Sequence, residues 1–326
     1  MKAIQIKEFG GPEVLNVVEI PEPTPAANEV RVLVHAAGVN PNEAYARTGT
    51  YGAYIPELPY TPGFDGAGVI DMLGEGVTGF KPGDRVYIGG FMAKRNTGTY
   101  AEKVVVDAAS VHPLTDELTF EQGASLGIPG LAAYQSVVLR AQVKEGDTVL
   151  IHGGSGAVGL TAIQIAKALG AKVIGTASTE EGRKLIRALG ADVAMPHVVN
   201  GQYADIMAAT DQQGPDVIIE MLANQNLETD LEIARNNARI VILGSRGSIQ
   251  IDPRHTMTKA LSILGMSAIN LDAAETAAAY AALTQLVDEG EILPLVGDVL
   301  DLEKASEAHE QILTKKGNGK LVLKIK

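Results

Sequence analysis

The chain contains no cysteine. Disulfides are therefore excluded, and so is every zinc site built on thiolates, structural or catalytic. Tryptophan is absent too, and aromatic residues make up 4% of the 326 positions, so no cluster of rings interleaved with basic residues is available to stack on nucleic-acid bases. Basic residues are in the minority. With 27 Lys and Arg against 39 Asp and Glu the formal charge is −12, which works against a surface built for phosphate backbones while leaving room for a local pocket that holds one nucleotide. No stretch approaches the roughly 18 consecutive apolar residues of a membrane span. The opening segment Met1–Leu15 carries Lys2 and Lys7 and no apolar run of signal-peptide length. These absences lead to the expectation of a cytoplasmic protein with no membrane and no nucleic-acid partner.

What is present is a globular composition, 46% hydrophobic and 20% charged, in a chain too long for one typical core. Residues 1 to about 120 read as short strands, among them Lys2–Glu8, Glu29–Ala36, Gly66–Met72, Asp84–Ile88 and Tyr100–Val106. Turn signals such as Gly10-Gly11-Pro12 and Lys81-Pro82-Gly83-Asp84 separate them. From about Phe120 strand-like runs alternate with helical patterns. The strands are Thr148–His152, Lys172–Thr176, Asp216–Glu220, Arg239–Gly244 and Leu261–Met266; the helices are Ala157–Leu169, Glu180–Leu189 and Asp272–Asp288. Alternation of this kind predicts βαβ units and a doubly wound parallel sheet, an α/β fold. After Leu293 short strands return around a helix over Leu302–Leu313, and the tail is expected to fold back onto the first domain.

The most chemical stretch is Val149-Leu150-Ile151-His152-Gly153-Gly154-Ser155-Gly156-Ala157-Val158-Gly159. Gly154, Gly156 and Gly159 satisfy G-x-G-x-x-G between a buried strand and a helix. Glycine lets the backbone approach a pyrophosphate, and the helix start offers unpaired N–H groups and a positive dipole end. A nucleophile elbow at Gly153-x-Ser155-x-Ala157 is the rival, but it needs a later acid and histidine. Of His197, His255 and His309, the last lies in a charged helix and reads as a surface residue. A short-chain reductase is excluded, because the Tyr-x-x-x-Lys pair is missing and such enzymes begin with their glycine turn.

A site that prefers NAD places Asp or Glu at the end of the second strand. Here that strand ends Ile174-Gly175-Thr176-Ala177-Ser178, with no acid to repel a 2′-phosphate. Glu180 and Glu181 follow, and the plainer reading of Ser178-x-x-Glu181 is a helix capping box. Arg183, Lys184 and His197 are the candidate donors to the phosphate. Two charge-assisted bonds of about 1.5–3 kcal/mol each would give a preference for NADPH of roughly 10²–10⁴.

The sequence also resembles a known family, the zinc-free medium-chain dehydrogenase/reductases of the quinone oxidoreductase (zeta-crystallin-like) type. The resemblance covers essentially the whole chain. It is carried by Gly38-Val39-Asn40-Pro41-Asn42-Glu43-Ala44-Tyr45, Arg47-Thr48-Gly49-Thr50-Tyr51 and Tyr60-Thr61-Pro62-Gly63-Phe64-Asp65-Gly66-Ala67-Gly68, and by Gly127-Ile128-Pro129. Beyond the glycine turn it continues in Gly175–Gly182, Ile219–Asn224 and Leu243-Gly244-Ser245-Arg246-Gly247. It implies a GroES-like β-rich catalytic domain over 1–121 and 291–326 and a Rossmann NADP-binding domain over 122–290. Zinc alcohol dehydrogenases of the same superfamily carry Gly-His-Glu where this chain has Gly63-Phe64-Asp65, and phenylalanine cannot ligate a metal. Without a Lewis acid the plausible acceptors are already electrophilic, quinones first and conjugated enones or 2-alkenals as the alternative.

By similarity, Asn40 and Tyr45 would lie near the nicotinamide and the acceptor in the interdomain cleft, with Tyr51 lining it, and a side-chain amide or phenol there would hydrogen-bond an acceptor oxygen as negative charge develops. Gly154, Ser155, Gly156, Ala157, Val158 and Gly159 would hold the pyrophosphate. Ser178, Arg183 and His197 would lie by the adenosine phosphate. Asn226, then Leu243, Gly244, Ser245 and Arg246, and finally Met266, Ser267 and Ala268 would run along the ribose and nicotinamide. Relatives often carry lysine near the position of Gly182, a departure that Arg183 or His197 has to offset. The resemblance further implies a homodimer, or a tetramer built from it, through pairing of the last cofactor strand with its copy. Some zeta-crystallins serve as structural proteins or bind AU-rich RNA; the acidic balance argues against RNA here.

Overall fold

A computed structural model describes residues 1–51, 54–89, 97–197, 203–315 and 317–326. The chain divides into two compact units, Met1–Leu131 with Leu271–Asp288 and Pro294–Lys326, and Ala132–Asn270 with Glu289–Leu293. No helix among the described residues is long and apolar enough to cross a membrane.

Among its described residues the first unit holds a seven-stranded sheet whose spine is Glu29–Gly38. Asp65–Leu73 and Lys103–Asp107 pair with the spine antiparallel, and Arg85–Ile88 and Val111–Pro113 continue beyond Asp65–Leu73. On the edge opposite Asp65–Leu73, further along the spine than Lys103–Asp107, Lys320–Lys324 lies antiparallel to it, matching Val322 with Gly38 and Lys324 with Ala36, and is followed by Val296–Asp301. The spine is buried along nearly its whole length, and its side chains divide between two clusters. Val30, Val32 and Val34 point into one cluster with Ile70, Val86, Ile88, Val104 and Val106. Ala37 and Val39 join a second cluster with Ile4, Ile6, Tyr60, Tyr100, Leu321 and Leu323. Each such side chain contributes about 1.5–3 kcal/mol when fully buried.

The second unit is the expected α/β sheet, a Rossmann-type parallel array. In spatial order its strands are Val193–Met195, Lys172–Thr176, Thr148–Ile151, Val217–Glu220, Arg239–Ile242 and Ser262–Gly265, every pair parallel. The central strands carry near-continuous apolar runs, Val149-Leu150-Ile151 and Val217-Ile218-Ile219, because helices cover both faces. The helix Ala157–Ala168 is buried along most of its length, and its polar residues are satisfied internally. Gln164 Nε2 donates to Leu160 O and Leu293 O, and Gln164 Oε1 accepts from Leu293 N at 2.8 Å.

The unit boundary does not follow the sequence division at 122 and 290. Residues 122–131 and 271–288 pack with the first unit. The helix Ala273–Asp288 brings Tyr280 onto His112, ring centroids 4.2 Å apart, and Thr284 Oγ1 to 3.0 Å from Tyr87 OH. His309 also departs from its expected surface position. It is fully buried, edge-on to the Tyr100 ring at 5.7 Å, because the helix Ala305–Thr314 turns that face inward.

Candidate functional site

Because the second unit's sheet is parallel throughout its described residues, the six described strands end on one edge, the edge at which such sheets bind ligands. The sequence-predicted cofactor residues are brought together there. In chain order, the first of the six strands, Thr148–Ile151, runs into the turn at Gly153, where φ is +60°, and the second, Lys172–Thr176, holds that turn in place. Gly154 N donates to Thr176 O at 2.8 Å, and Gly153 N donates to Thr176 Oγ1 at 3.3 Å. Gly159 is demanded by packing: a Cβ there would stand 2.5 Å from Gly153 O. Gly156 is different. A Cβ on it would meet nothing nearer than Gly153 O at 3.6 Å, so the protein's own packing does not require glycine. An open backbone next to the first amides of the helix Ala157–Ala168 suits the close approach of a phosphate. Gly154 and Ser155 are buried in the turn, and Ala157 and Val158 are half-buried where the helix begins.

After the second strand, Ser178 is exposed and takes no part in capping. The expected capping box at Ser178 is corrected: Thr179 is the N-cap, its Oγ1 accepting from Gly182 N at 3.0 Å, because Thr179 and not Ser178 is the last extended residue before Glu180. Arg183 is half-buried and engaged. Its Nη2 and Nε meet Glu180 Oε2 at 2.7 and 3.2 Å, and Nη1 donates to Ala177 O. Lys184 is exposed. His197, past the end of Val193–Met195, places Nδ1 2.8 Å from Thr176 Oγ1 and so belongs to the same edge.

Past the fourth strand, Asn226 is half-buried and its Nδ2 donates to Glu220 Oε1 at 3.2 Å. Leu243 N donates to Glu220 O, Ala223 N to Gly244 O, and Arg246 N to Asn224 Oδ1, which binds the fifth-strand loop to the fourth. Ser245 Oγ donates to Gly247 O at 2.8 Å. After the sixth strand, Met266 N reaches Ile242 O at 3.0 Å. Ser267 O accepts from Gln135 Nε2, and Ala268 opens a single 3-10 turn.

In the first unit, Asn40 N-caps the helix Pro41–Arg47 and is only 4% exposed. Its amide is fully engaged. Nδ2 donates to Asp65 Oδ2 at 2.8 Å and to Glu43 Oε1 at 3.2 Å, while Oδ1 accepts from Lys320 Nζ at 2.5 Å. Lys320 Nζ also lies 2.6 Å from Asp65 Oδ2. Glu43 accepts from Phe64 N and from Tyr100 OH, and Ile128 N holds Asp65 Oδ1. Burial pushes the Glu43 carboxyl up to about 7; Lys320 opposes this shift and Asp65 adds to it. Beside this cluster a gap of about 10 Å³, lined by Tyr54, Tyr60 and Phe64 among others, has room for one water and not for a substrate. Tyr45 and Tyr51 are half-buried, their rings 6.3 Å apart, and burial pushes the Tyr51 phenol up, so it is a hydrogen-bond donor at neutral pH.

The buried polar partners Glu43, Asp65, Lys320 and Tyr100, and, in the second unit, His152, Glu220 and Asp230, are not among the residues expected at the site from the sequence. The available signal was a charge abutting an apolar run, since Lys, Asp and Glu are almost never fully buried unless paired. Among the described residues, two groups gather three His, Asp or Glu donors within 4.8 Å: His152, Glu220 and Asp230, all buried, and Glu228, Glu232 and His255 at the surface.

Comparison with known proteins gives a consistent picture. Residues 26–116 match the family profile described as alcohol dehydrogenase GroES-like domain, and residues 157–287 match that described as zinc-binding dehydrogenase. The quinone oxidoreductase of Homo sapiens is 44% identical over 99% of this chain and 97% of its own length. A solved structure described as an NAD-dependent alcohol dehydrogenase superposes over the whole of both chains with a TM-score of 0.93 at 33% identity. The Escherichia coli quinone oxidoreductase, solved in complex with NADPH, superposes over the whole of both chains with a TM-score of 0.88 at 28% identity.

Proposed function

Since the chain belongs to the quinone oxidoreductase family of medium-chain dehydrogenase/reductases, we propose that it is an NADPH:quinone oxidoreductase. The observation that carries this reading is the 44% identity to a quinone oxidoreductase along essentially the full length of both chains. The carboxyl edge of the second unit fits NADPH. Gly156 keeps an open backbone at the helix start, and the pyrophosphate is held by the amides from Ser155 to Val158. Ser178, Arg183 and His197 receive the adenosine phosphate, Arg183 by exchanging Glu180 for it. Asn226, Leu243–Arg246 and Met266–Ala268 line the ribose and nicotinamide.

Bound NADPH supplies the reducing equivalents, and the protein positions, shields and hydrogen-bonds. Tyr45 and Tyr51 are the acceptor-facing donors, each offering a phenolic proton to an oxygen on which negative charge grows. Asn40 acts through others, since its amide is spent on Glu43, Asp65 and Lys320. A catalytic zinc does not fit. Phe64 offers no donor atom, and the Lys320 ammonium already lies against Asp65 and Asn40, where a second cation would be repelled. Zinc-independent reduction of an electrophilic acceptor follows.

Assembly as a homodimer is supported by the last strand of the sheet, Ser262–Gly265. Among the described residues it pairs with Arg239–Ile242 alone and exposes Ile263 at 38%, with Met257 78% exposed on the preceding helix. A cytoplasmic setting agrees with the cysteine-free chain. The test is oxidation of NADPH by the purified protein with an ortho-quinone and with a conjugated enone, repeated with NADH. Fast quinone turnover with NADPH supports the reading. Turnover of the enone alone assigns a double-bond reductase, and NADH working as well as NADPH removes Arg183 and His197 from the phosphate role.

A further inference from the structure

Three ionisable side chains are buried together at the carboxyl edge of the second unit. His152 follows the strand Thr148–Ile151 directly, Glu220 ends the neighbouring strand, and Asp230 lies on the helix Ala223–Ile233; they are 4%, 0% and 0% exposed. His152 Nε2 is 2.9 Å from Asp230 Oδ1 and 3.7 Å from Glu220 Oε2. On its other side Glu220 Oε1 accepts from Leu222 N and from Asn226 Nδ2. Glu220 Oε2 and Asp230 Oδ2 are buried without a hydrogen-bond partner.

Two unsatisfied carboxylate oxygens, in a buried cluster whose three residues each offer a polar atom within 4.8 Å of the others, are explained by a proton shared between the two carboxyls. The charges then balance: protonated His152 offsets the one negative charge that a singly protonated pair of carboxyls carries. An ionised Glu220 would leave a net negative charge away from water. The shifts run the same way. Burial pushes Glu220 up and Asp230 adds to this, with His152 opposing. Burial disfavours the charged His152 ring, but Asp230 and then Glu220 outweigh it and raise its pKa. These three groups are the charges that act on one another. Glu228 and Glu232, on the same helix as Asp230, face His255 instead.

We propose that His152, Asp230 and Glu220 are positioning residues for the cofactor, a proton-holding cluster that fixes Asn226 and makes NADPH affinity fall as pH rises. This rests on the reading that Asn226 lies along the bound nucleotide. With one Nδ2 proton on Glu220 orienting the amide, the Asn226 carbonyl is the acceptor presented to a ribose hydroxyl. Loss of the proton sets Glu220 Oε2 against Asp230 Oδ2. The carboxylate that anchors Asn226 is then pushed out of place, and a negative charge is left behind the turn that begins at Gly153.

The experiment is a titration of the full-length protein with NADPH, followed by nucleotide fluorescence, from pH 6 to pH 9. Wild type, Glu220→Gln and Asn226→Ala are compared, and thermal unfolding in each buffer reports whether the fold is kept. The amide of Glu220→Gln imitates the protonated carboxyl. The ratio of its dissociation constant to that of wild type cancels the titration of the 2′-phosphate and of His197. The expected result is that this ratio falls about tenfold across the range, one pKa unit of linkage, while Asn226→Ala binds weakly throughout. A flat ratio overturns the inference and leaves NADPH binding standing. Failure of wild type to bind NADPH at any pH overturns the cofactor reading and the inference with it. Stoichiometric metal in the dialysed wild type that Glu220→Gln lacks would also overturn it, because the orphan oxygens would then hold a cation.

Discussion

Replacing Lys320 by methionine removes the ammonium that faces Asp65 and Asn40 inside the first unit, while keeping most of the side-chain volume. Lys320 is 2% exposed and Asp65 fully buried, with Nζ and Oδ2 2.6 Å apart. Removing one partner of such a pair leaves an uncompensated buried charge and costs about 3–5 kcal/mol. Part of this is offset, because Lys320 restrains the upward shift of Glu43. Without Lys320, Glu43 takes up a proton more readily and the cluster sheds one negative charge. The lower end, about 3 kcal/mol, is therefore expected. For a unit of about 180 residues unfolding as one block, at roughly 2.1 cal/mol/K of entropy per residue, that lowers Tm by about 8 °C. Calorimetry and urea titration of Lys320→Met read the loss. Adding Asp65→Asn removes the orphaned charge, and the double variant should recover more than half of it. A Tm drop under about 2 °C for Lys320→Met, or a double variant no more stable than the single one, refutes the argument that an ion pair holds this cluster.

The two glycines of the phosphate turn separate binding from folding: Gly156→Ala should leave Tm unchanged but weaken NADPH binding at least tenfold, whereas Gly159→Ala, facing Gly153 O at 2.5 Å, should lower Tm itself. Equal effects in both assays would refute the distinction. Glu180→Gln frees Arg183 and should raise the NADPH over NADH ratio of kcat/KM severalfold, while Arg183→Ala lowers it about tenfold or more, the worth of one charge-assisted bond. No change in either leaves Arg183 as a surface ion pair. Burial, with Arg47 nearby, pushes His309 down to about 3. A folded pKa below the usual 6.5 means that its contribution is complete above pH 6.5 and lost as the pH falls toward 3. His309→Gln should therefore flatten the decline of urea stability between pH 6 and pH 4, and an unchanged slope refutes it.

The sheet of the second unit was legible because its central strands are covered on both faces and spell that out as Val149-Leu150-Ile151 and Val217-Ile218-Ile219. Val193–Met195 was not: three residues between Asp192 and Pro196 carry no period that distinguishes a strand from a turn. The helix Ala223–Ile233 was missed for a different reason. Ala223, Leu227 and Leu231 lie on one face at helical spacing, yet Asn224, Gln225, Asn226, Glu228 and Glu232 dominate its composition, and Asp230 stands among its buried residues. An acid there contradicts the helical pattern until His152, 78 positions earlier, is brought against it. The same holds for Asn40, Asp65 and Lys320, joined across separations of 25, 255 and 280 positions. A glycine turn is a local device, and its chemistry can be read from consecutive residues. A buried charge is different, because its neighbours in the chain show only that it needs a partner, while the strand order decides which partner it meets. Glu220 after Val217-Ile218-Ile219 and Lys320 before Leu321-Val322-Leu323 are the two places where that need is written most plainly, and both are where the structure gathers buried charge from distant parts of the chain.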